Sequence, residues 1–172
     1  MIMCVAHVAH DCELGDGVIV ANNVMFGGHA RVGDNAYIGG GAAIHQFVRI
    51  GRNAAVGGMS GVEGDVIPFG LVMGNRARLT GLNLIGLKRR GFPRADINAL
   101  RAAFRLLFRD DNGTFALRLA EAARRHAADP LVQEVIGFVR AGGRRPLCRA
   151  AGPAELDLGE EAEANGAVET AA

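Results

Sequence analysis

Every sixth residue from Ile2 onward is apolar: Ile2, Val8, Leu14, Val20, Phe26, Val32, Ile38, Ile44, Ile50, Val56 and Val62. A small or aliphatic residue recurs two positions earlier, as at Val18, Val24, Ala30, Ala36, Ala42, Val48, Ala54 and Val66. Glycine follows the repeat position at Gly15, Gly27, Gly33, Gly39, Gly51 and Gly57. Helix contacts recur at about 3.6 residues and strand faces at about 2, so neither element alone produces this spacing. A triangular parallel β-helix does. Each flat side takes six residues and three sides close an 18-residue coil, with the apolar residue turned inward. Gly and Asn are expected at the corners, where tight turns call for positive φ. Each coil buries its inner row only against its neighbours, so the array is a one-dimensional solenoid. Residues 1–67 are expected to form about 3.5 coils.

The hexad ends after Pro68, and 68–91 is expected to be an irregular connector. A helical region follows over 92–142. Pro93 suits a first helical turn, and Ile97, Leu100, Phe104, Leu107 and Phe108 recur at helical spacing. Further helices are expected from near Thr114 and from Asp129-Pro130, the last with Leu131, Val135, Ile136 and Val139 on one side. The open end of a solenoid is a row of unpaired strand groups, and this helical region is the expected cover at one end. At the other end Met1 opens directly onto a hexad, with nothing before it. The stretch 143–172 reads as a disordered acidic tail, with six acids and no base from Ala150 onward.

Candidate chemistry lies along one line. Folded onto the 18-residue coil, His10, His29 and His45 fall within one residue of a common phase on three successive coils. Parallel strands lie about 4.7–4.9 Å apart, so the three imidazoles share one edge. His7 stands three residues before His10, and Asp11 directly follows it. Such a row suits general-base chemistry, because a neutral imidazole accepts a proton near neutral pH. It also suits a zinc site built on histidines. Gly28 shares the phase of His10, one coil up. Without a side chain it lets a substrate reach the backbone, where an N–H can face an oxyanion.

Composition narrows the partners. Net charge is +1, hydrophobic residues make up 49%, aromatic residues 5%, and tryptophan is absent. That balance exerts no overall pull toward nucleic acid or a membrane surface. No apolar run reaches the roughly 18 residues of a spanning helix, and no basic stretch precedes an apolar one as in a secretory signal. Cys4, Cys12 and Cys148 lack metal-ligand or disulfide spacing, in keeping with a reducing cytoplasm. Positive charge gathers locally, with nine basic residues between 68 and 109 against the single acid Asp96. This suits an anionic partner, a diphosphate or an acidic carrier protein. It lacks the interleaved aromatics of a nucleic-acid surface.

The runs His7-Val8-Ala9-His10-Asp11-Cys12, Gly27-Gly28-His29, Ile44-His45-Gln46-Phe47, Val56-Gly57-Gly58 and Gly86-Leu87-Lys88-Arg89-Arg90-Gly91-Phe92 occur in this order. Over roughly residues 4–142 the chain resembles the family of acyl-carrier-protein-dependent UDP-N-acetylglucosamine O-acyltransferases, which open lipid A biosynthesis. The resemblance implies a left-handed parallel β-helix followed by a small α-helical domain, and a cytoplasmic homotrimer with sites between subunits. It implies transfer of a 3-hydroxyacyl chain from acyl carrier protein to the 3-hydroxyl of UDP-N-acetylglucosamine, without metal or cofactor. His10 is then the general base, Asp11 its orienting partner and Gly28 the oxyanion donor. His7, His29, His45 and Gln46 position sugar and acyl groups, and Asn83 lies near the thioester arm. Arg89 meets the nucleotide diphosphate and Arg90 the substrate or the carrier. Gly58 matches a position that gauges acyl length, and glycine there leaves room for a longer chain. Family members carry further N-terminal coils that this chain lacks, through a displaced start or a true truncation. The alternatives are an inactive trimeric scaffold, a related hexapeptide N-acyltransferase and a zinc enzyme like the γ-class carbonic anhydrases.

Overall fold

The structure, a computed structural model, describes residues 1–152. Ten two-residue strands follow one another at six-residue steps: β1 (His7–Val8), β2 (Glu13–Leu14), β3 (Ile19–Val20), β4 (Met25–Phe26), β5 (Arg31–Val32), β6 (Tyr37–Ile38), β7 (Ala43–Ile44), β8 (Arg49–Ile50), β9 (Ala55–Val56) and β10 (Gly61–Val62). They stack in parallel on three faces. The first holds β1, β4, β7 and β10, the second β2, β5 and β8, and the third β3, β6 and β9. Partners are offset by one coil, as in His7 with Met25 and Ile19 with Tyr37. The fold is a left-handed parallel β-helix with a helical C-terminal part.

The second residue of each strand turns inward. Val20, Phe26, Val32, Ile38, Ile44, Ile50, Val56 and Val62 are buried, as are Val24, Ala30, Ala36, Ala42, Val48 and Ala54 between them. Each Val or Ile removed from water in this way contributes about 1.5–3 kcal/mol. A six-residue side takes one large inward residue and one smaller one, which is why the repeat is so regular.

The corners depart from expectation. The residue with positive φ recurs every six positions, at Val5, Asp11, Gly17, Asn23, His29, Asn35, Gly41, Phe47, Asn53 and Met59. Asn and Gly fill half of these, and larger side chains the others. The glycines that follow the inward residue serve another purpose. A Cβ on Gly27 would stand 2.6 Å from the backbone N of Gln46, and one on Gly33 2.6 Å from that of Arg52. Their role is to let successive coils approach.

The hexad does not simply end at Pro68. Its phase shifts by two residues between Val62 and Val66, and Val66 takes the inward place beside Ile50. Pairing continues into β11 (Gly70–Met73), which lies parallel to β9, and turns back antiparallel as β12 (Arg78–Leu82). The expected irregular connector therefore contains a hairpin that extends the third face. It also contains a short helix, α1 (Leu84–Arg89). Three longer helices follow: α2 (Arg94–Phe108), α3 (Phe115–Arg125) and α4 (Pro130–Ala141). Thr114 caps α3 by accepting the N–H of Leu117. Leu87, Leu100, Leu107, Val132 and Ile136 join the solenoid interior in one continuous core. Helix α4 is tied to the second face by Arg52–Glu134 at 2.6 Å and by Arg49 over the Phe138 ring at 4.3 Å.

Residues 143–152, expected as the start of a disordered tail, are instead part of the fold. Asp65 N–H donates to Pro146 O at 2.8 Å, and Cys148 N–H donates to Asp65 O at 2.8 Å. Leu79 N–H donates to Arg149 O at 2.8 Å, so the segment also covers the outer edge of β12. Backbone hydrogen bonds hold it, which composition does not reveal. The rest of that acidic stretch, 153–172, lies outside the described residues. Among the described residues no helix is long and apolar enough to cross a membrane.

Candidate active site

One edge of the prism, between the first and second faces, carries the histidine line. From the first coil upward its corner residues are His10-Asp11, Gly28-His29 and Gln46-Phe47, each pair 18 residues from the last. Asp11, His29 and Phe47 hold the positive-φ place, which swings their side chains out over the edge. His10 Nδ1 and Asp11 Oδ2 are 2.8 Å apart. His29 Nε2 lies 3.9 Å from the same oxygen, and the His29 ring stands edge-on to His10 with centroids 5.0 Å apart. Above it the Phe47 ring stacks flat on His29 at 4.8 Å. The hydrogen bond with His10 lowers the Asp11 carboxyl from its ordinary value and outweighs desolvation, with smaller contributions from the charges of His29 and His10. Asp11 is therefore an anion throughout the neutral range, and it fixes the Nδ1–H tautomer of His10.

That tautomer leaves Nε2 of His10 with its lone pair free. It faces Gly28, where an added Cβ would sit 2.7 Å from Nε2. The Gly28 carbonyl accepts the Phe47 N–H at 3.0 Å. Its own N–H donates to no acceptor among the described residues. A proton acceptor and a backbone donor thus meet at one point on an exposed edge.

His45 and Gln46 stand one coil higher. His45 Nδ1 lies 3.2 Å from the Gln46 carbonyl. His7 projects outward from β1 and is exposed. The other expected site residues are elsewhere. Asn83 caps α1 by accepting Gly86 N–H at 3.0 Å and donates to Asn53 O at 2.9 Å. Arg90 donates to Asn35 Oδ1 at 2.8 Å. Asn35 and Asn53 are corner residues of a second edge, between the second and third faces, so Asn83 and Arg90 belong there, with Arg89 exposed nearby at the end of α1. Gly58 lies on the third edge, where a Cβ would come 3.3 Å from Gly40 O. One chain therefore brings together His10, Asp11, Gly28 and His29, with His45 and Gln46 beside them. It does not bring Asn83, Arg89, Arg90 or Gly58 to that edge. A cleft of about 780 Å³ between the second face and α4, lined by Arg31, Arg52, Glu134 and Phe138, contains none of these residues.

The family model for UDP-N-acetylglucosamine O-acyltransferase, domain 2, matches residues 65–148. An acyl-[acyl-carrier-protein]–UDP-N-acetylglucosamine O-acyltransferase of Caulobacter vibrioides is 58% identical over 148 residues, covering 86% of this chain and 56% of that protein. The chain belongs to the UDP-N-acetylglucosamine O-acyltransferase family. A solved UDP-N-acetylglucosamine acyltransferase from Arabidopsis is similar at a TM-score of 0.81 and 39% identity, covering 84% of this chain and 53% of that one. Another from Francisella novicida has a TM-score of 0.81 at 27% identity, covering 88% and 54%. The chain spans about half the length of the curated relatives it matches.

Three residues at the edge of this acyltransferase-family chain escape a reading of its sequence. Phe47 was within reach, since its phase on the coil equals that of Asp11 and His29. Arg144 and Arg145 were not. The Arg144 guanidinium lies over the other side of the Phe47 ring at 4.4 Å. Arg145 Nε donates to Gln46 O at 3.1 Å, and its Nη2 contacts both ring nitrogens of His45. About a hundred residues separate these partners in the chain, and no pattern links them.

Proposed function

We propose that this chain transfers a 3-hydroxyacyl group from acyl carrier protein to the 3-hydroxyl of UDP-N-acetylglucosamine, the opening step of lipid A biosynthesis. The observation that carries the reading is the free Nε2 of His10 beside the Gly28 backbone, with Asp11 behind it at 2.8 Å. In the reaction His10 Nε2 takes the proton of the sugar hydroxyl as its oxygen attacks the thioester carbonyl. The carbonyl π pair moves onto oxygen, and the Gly28 N–H stabilises that oxyanion. The Asp11 carboxylate stabilises the imidazolium formed at His10. Collapse breaks the carbon–sulfur bond, and the departing thiolate takes the proton back from His10. Ester and free carrier thiol are the products, and the base is restored. The thioester is already activated, so alignment, proton transfer and oxyanion binding suffice.

The site is completed by a second copy. His10 and the Arg89–Arg90 region occupy different edges of one prism, so a homotrimer would set the histidine edge of each subunit against another edge of its neighbour. Gly58 on the third edge then borders the acyl path, and its lack of a side chain favours long over short acyl donors. A soluble carrier and a nucleotide sugar suit a cytoplasmic enzyme.

One observation favours a second reading. His10, Asp11 and His29 each offer a ligand atom within 4.8 Å of the others, a set that fits zinc. A single assay separates the two. With UDP-N-acetylglucosamine and 3-hydroxyacyl carrier protein, wild type is expected to turn over in the presence of chelator, and His10→Ala to lose nearly all activity. Activity that chelator abolishes and zinc restores would favour the metal, and substantial turnover by His10→Ala would refute the base.

A further inference from the structure

Beyond α4 the chain returns to the histidine edge, and its position there is well fixed. The corner between β10 and Val66 is two residues shorter than the others. Against it lies the segment around Leu147, paired with Asp65. Cys148 is buried beneath and donates to Gly64 O at 3.3 Å. Immediately before this anchor come Arg144 and Arg145.

Their geometry is that of groups presented, not groups consumed. The Arg144 guanidinium carbon lies over the Phe47 ring, 4.4 Å from its centroid. The N–H donors of Arg144 have no hydrogen-bond partner among the described residues, so the planar fork of the guanidinium is available to a ligand. Arg145 uses Nε on the Gln46 carbonyl and Nη2 on His45, which leaves Nη1 without a partner among the described residues. Neither arginine has a carboxylate partner there. Of the acids on this corner, Asp65 is bound to Arg49 at 2.7 Å, and Glu63 is exposed without a bridge to either arginine. The stack continues from Arg144 through Phe47 and His29 to His10. Two cations with free donors are thus held on the same edge as the proposed base, two coils above it.

We propose that Arg144 and Arg145 form a phosphate-binding subsite that holds a phosphate-bearing part of a substrate on the histidine edge. It rests on the acyltransferase reading for the identity of its ligand. Two sources supply the same chemistry there: the diphosphate of the nucleotide sugar, and the phosphodiester of the carrier's pantetheine arm. Guanidinium suits either, because its planar fork meets two phosphate oxygens at once. The subsite differs from Arg89 and Arg90, which lie on another edge and would reach the substrate from a neighbouring subunit.

The test is binding measured by titration calorimetry on the full chain. Wild type, Arg144→Ala, the Arg144→Ala/Arg145→Ala pair and the Arg144→Lys/Arg145→Lys pair are each titrated with UDP-N-acetylglucosamine and with 3-hydroxyacyl phosphopantetheine. The same acyl pantetheine without phosphate serves as control. The alanine pair is expected to bind one of the two phosphate ligands about 10- to 100-fold more weakly. Lysine should restore part of the loss, and the dephosphorylated control should change little. The affected ligand names the source. Arg144→Ala touches only a ring face and guards against a folding defect, which equal melting temperatures would exclude for all variants. Unchanged affinity for both phosphate ligands, or equal loss for the dephosphorylated control, overturns the subsite. If wild type also transfers acyl groups, the acyltransferase reading survives that outcome. Phosphate-dependent loss in a protein with no transfer activity would do the reverse.

Discussion

The chemistry of this edge rests on what Gly28 lacks. Its Cβ would meet both Cε1 and Nε2 of His10 at 2.7 Å, so alanine displaces the proposed base and narrows the approach to the proposed oxyanion donor in one step. Gly28→Ala is expected to lower kcat by about 10²–10³-fold, the loss typical of an oxyanion donor. Its melting temperature should stay near that of wild type, since Gly28 is not at a positive-φ position. Steady-state kinetics beside a thermal melt decide this, and near-normal turnover would remove Gly28 from the site. At this scale the sequence was informative where residues share a phase. His10, Gly28, His29 and Gln46 fall on one edge because the coil repeats without error. Asn83 shows the limit. Its side chain caps α1 and holds Asn53, contacts set by a local turn inside a stretch that looked irregular.

Among elements, the corners are where the repeat meets its steric cost. A positive φ is mild for Asn or Gly but costs other residues roughly 1–2 kcal/mol. At Asp11, His29 and Phe47 that conformation places side chains on the candidate site. Val5 repays nothing comparable. It is β-branched, has φ 59° and is 80% exposed. Val5→Asn is expected to stabilise the protein by about 1 kcal/mol and raise its melting temperature by a few degrees. A lowered melting temperature would show that Val5 packs against something in solution. The hexad made these strands legible, but it misdirected the reading of the glycines. Those after each inward residue looked like turn residues and are spacers between coils. The two-residue shift before Val66 was hidden for a related reason, since Val66 is apolar in either phase. Nor did composition reveal residues 143–152, whose anchor is mostly backbone hydrogen bonding.

For the molecule as a whole, the separation of His10 from Arg89 and Arg90 onto different edges makes a demand that mutants can meet in pairs. His10→Ala and Arg90→Ala are each expected to be nearly inactive alone. In the proposed homotrimer, mixed assemblies refolded from equal amounts should regain activity, because about a quarter of the subunit interfaces then pair two intact edges. Absence of recovery, with mixed trimers present by mass, would mean that each subunit holds its own complete site. Local pattern along the chain holds no measure of this separation. It emerges only when the three faces are folded and each edge is followed along the prism.

Stacking through a fixed 18-residue offset also bears on how such a gene can change. Losing or gaining one codon within the first three coils would rotate every later inward residue off its face, and the histidine line would break at that point. Removal or duplication of eighteen consecutive codons leaves each face continuous and simply makes the prism shorter or longer. Length in this wall is therefore inherited in whole coils, while chemistry is edited one corner at a time.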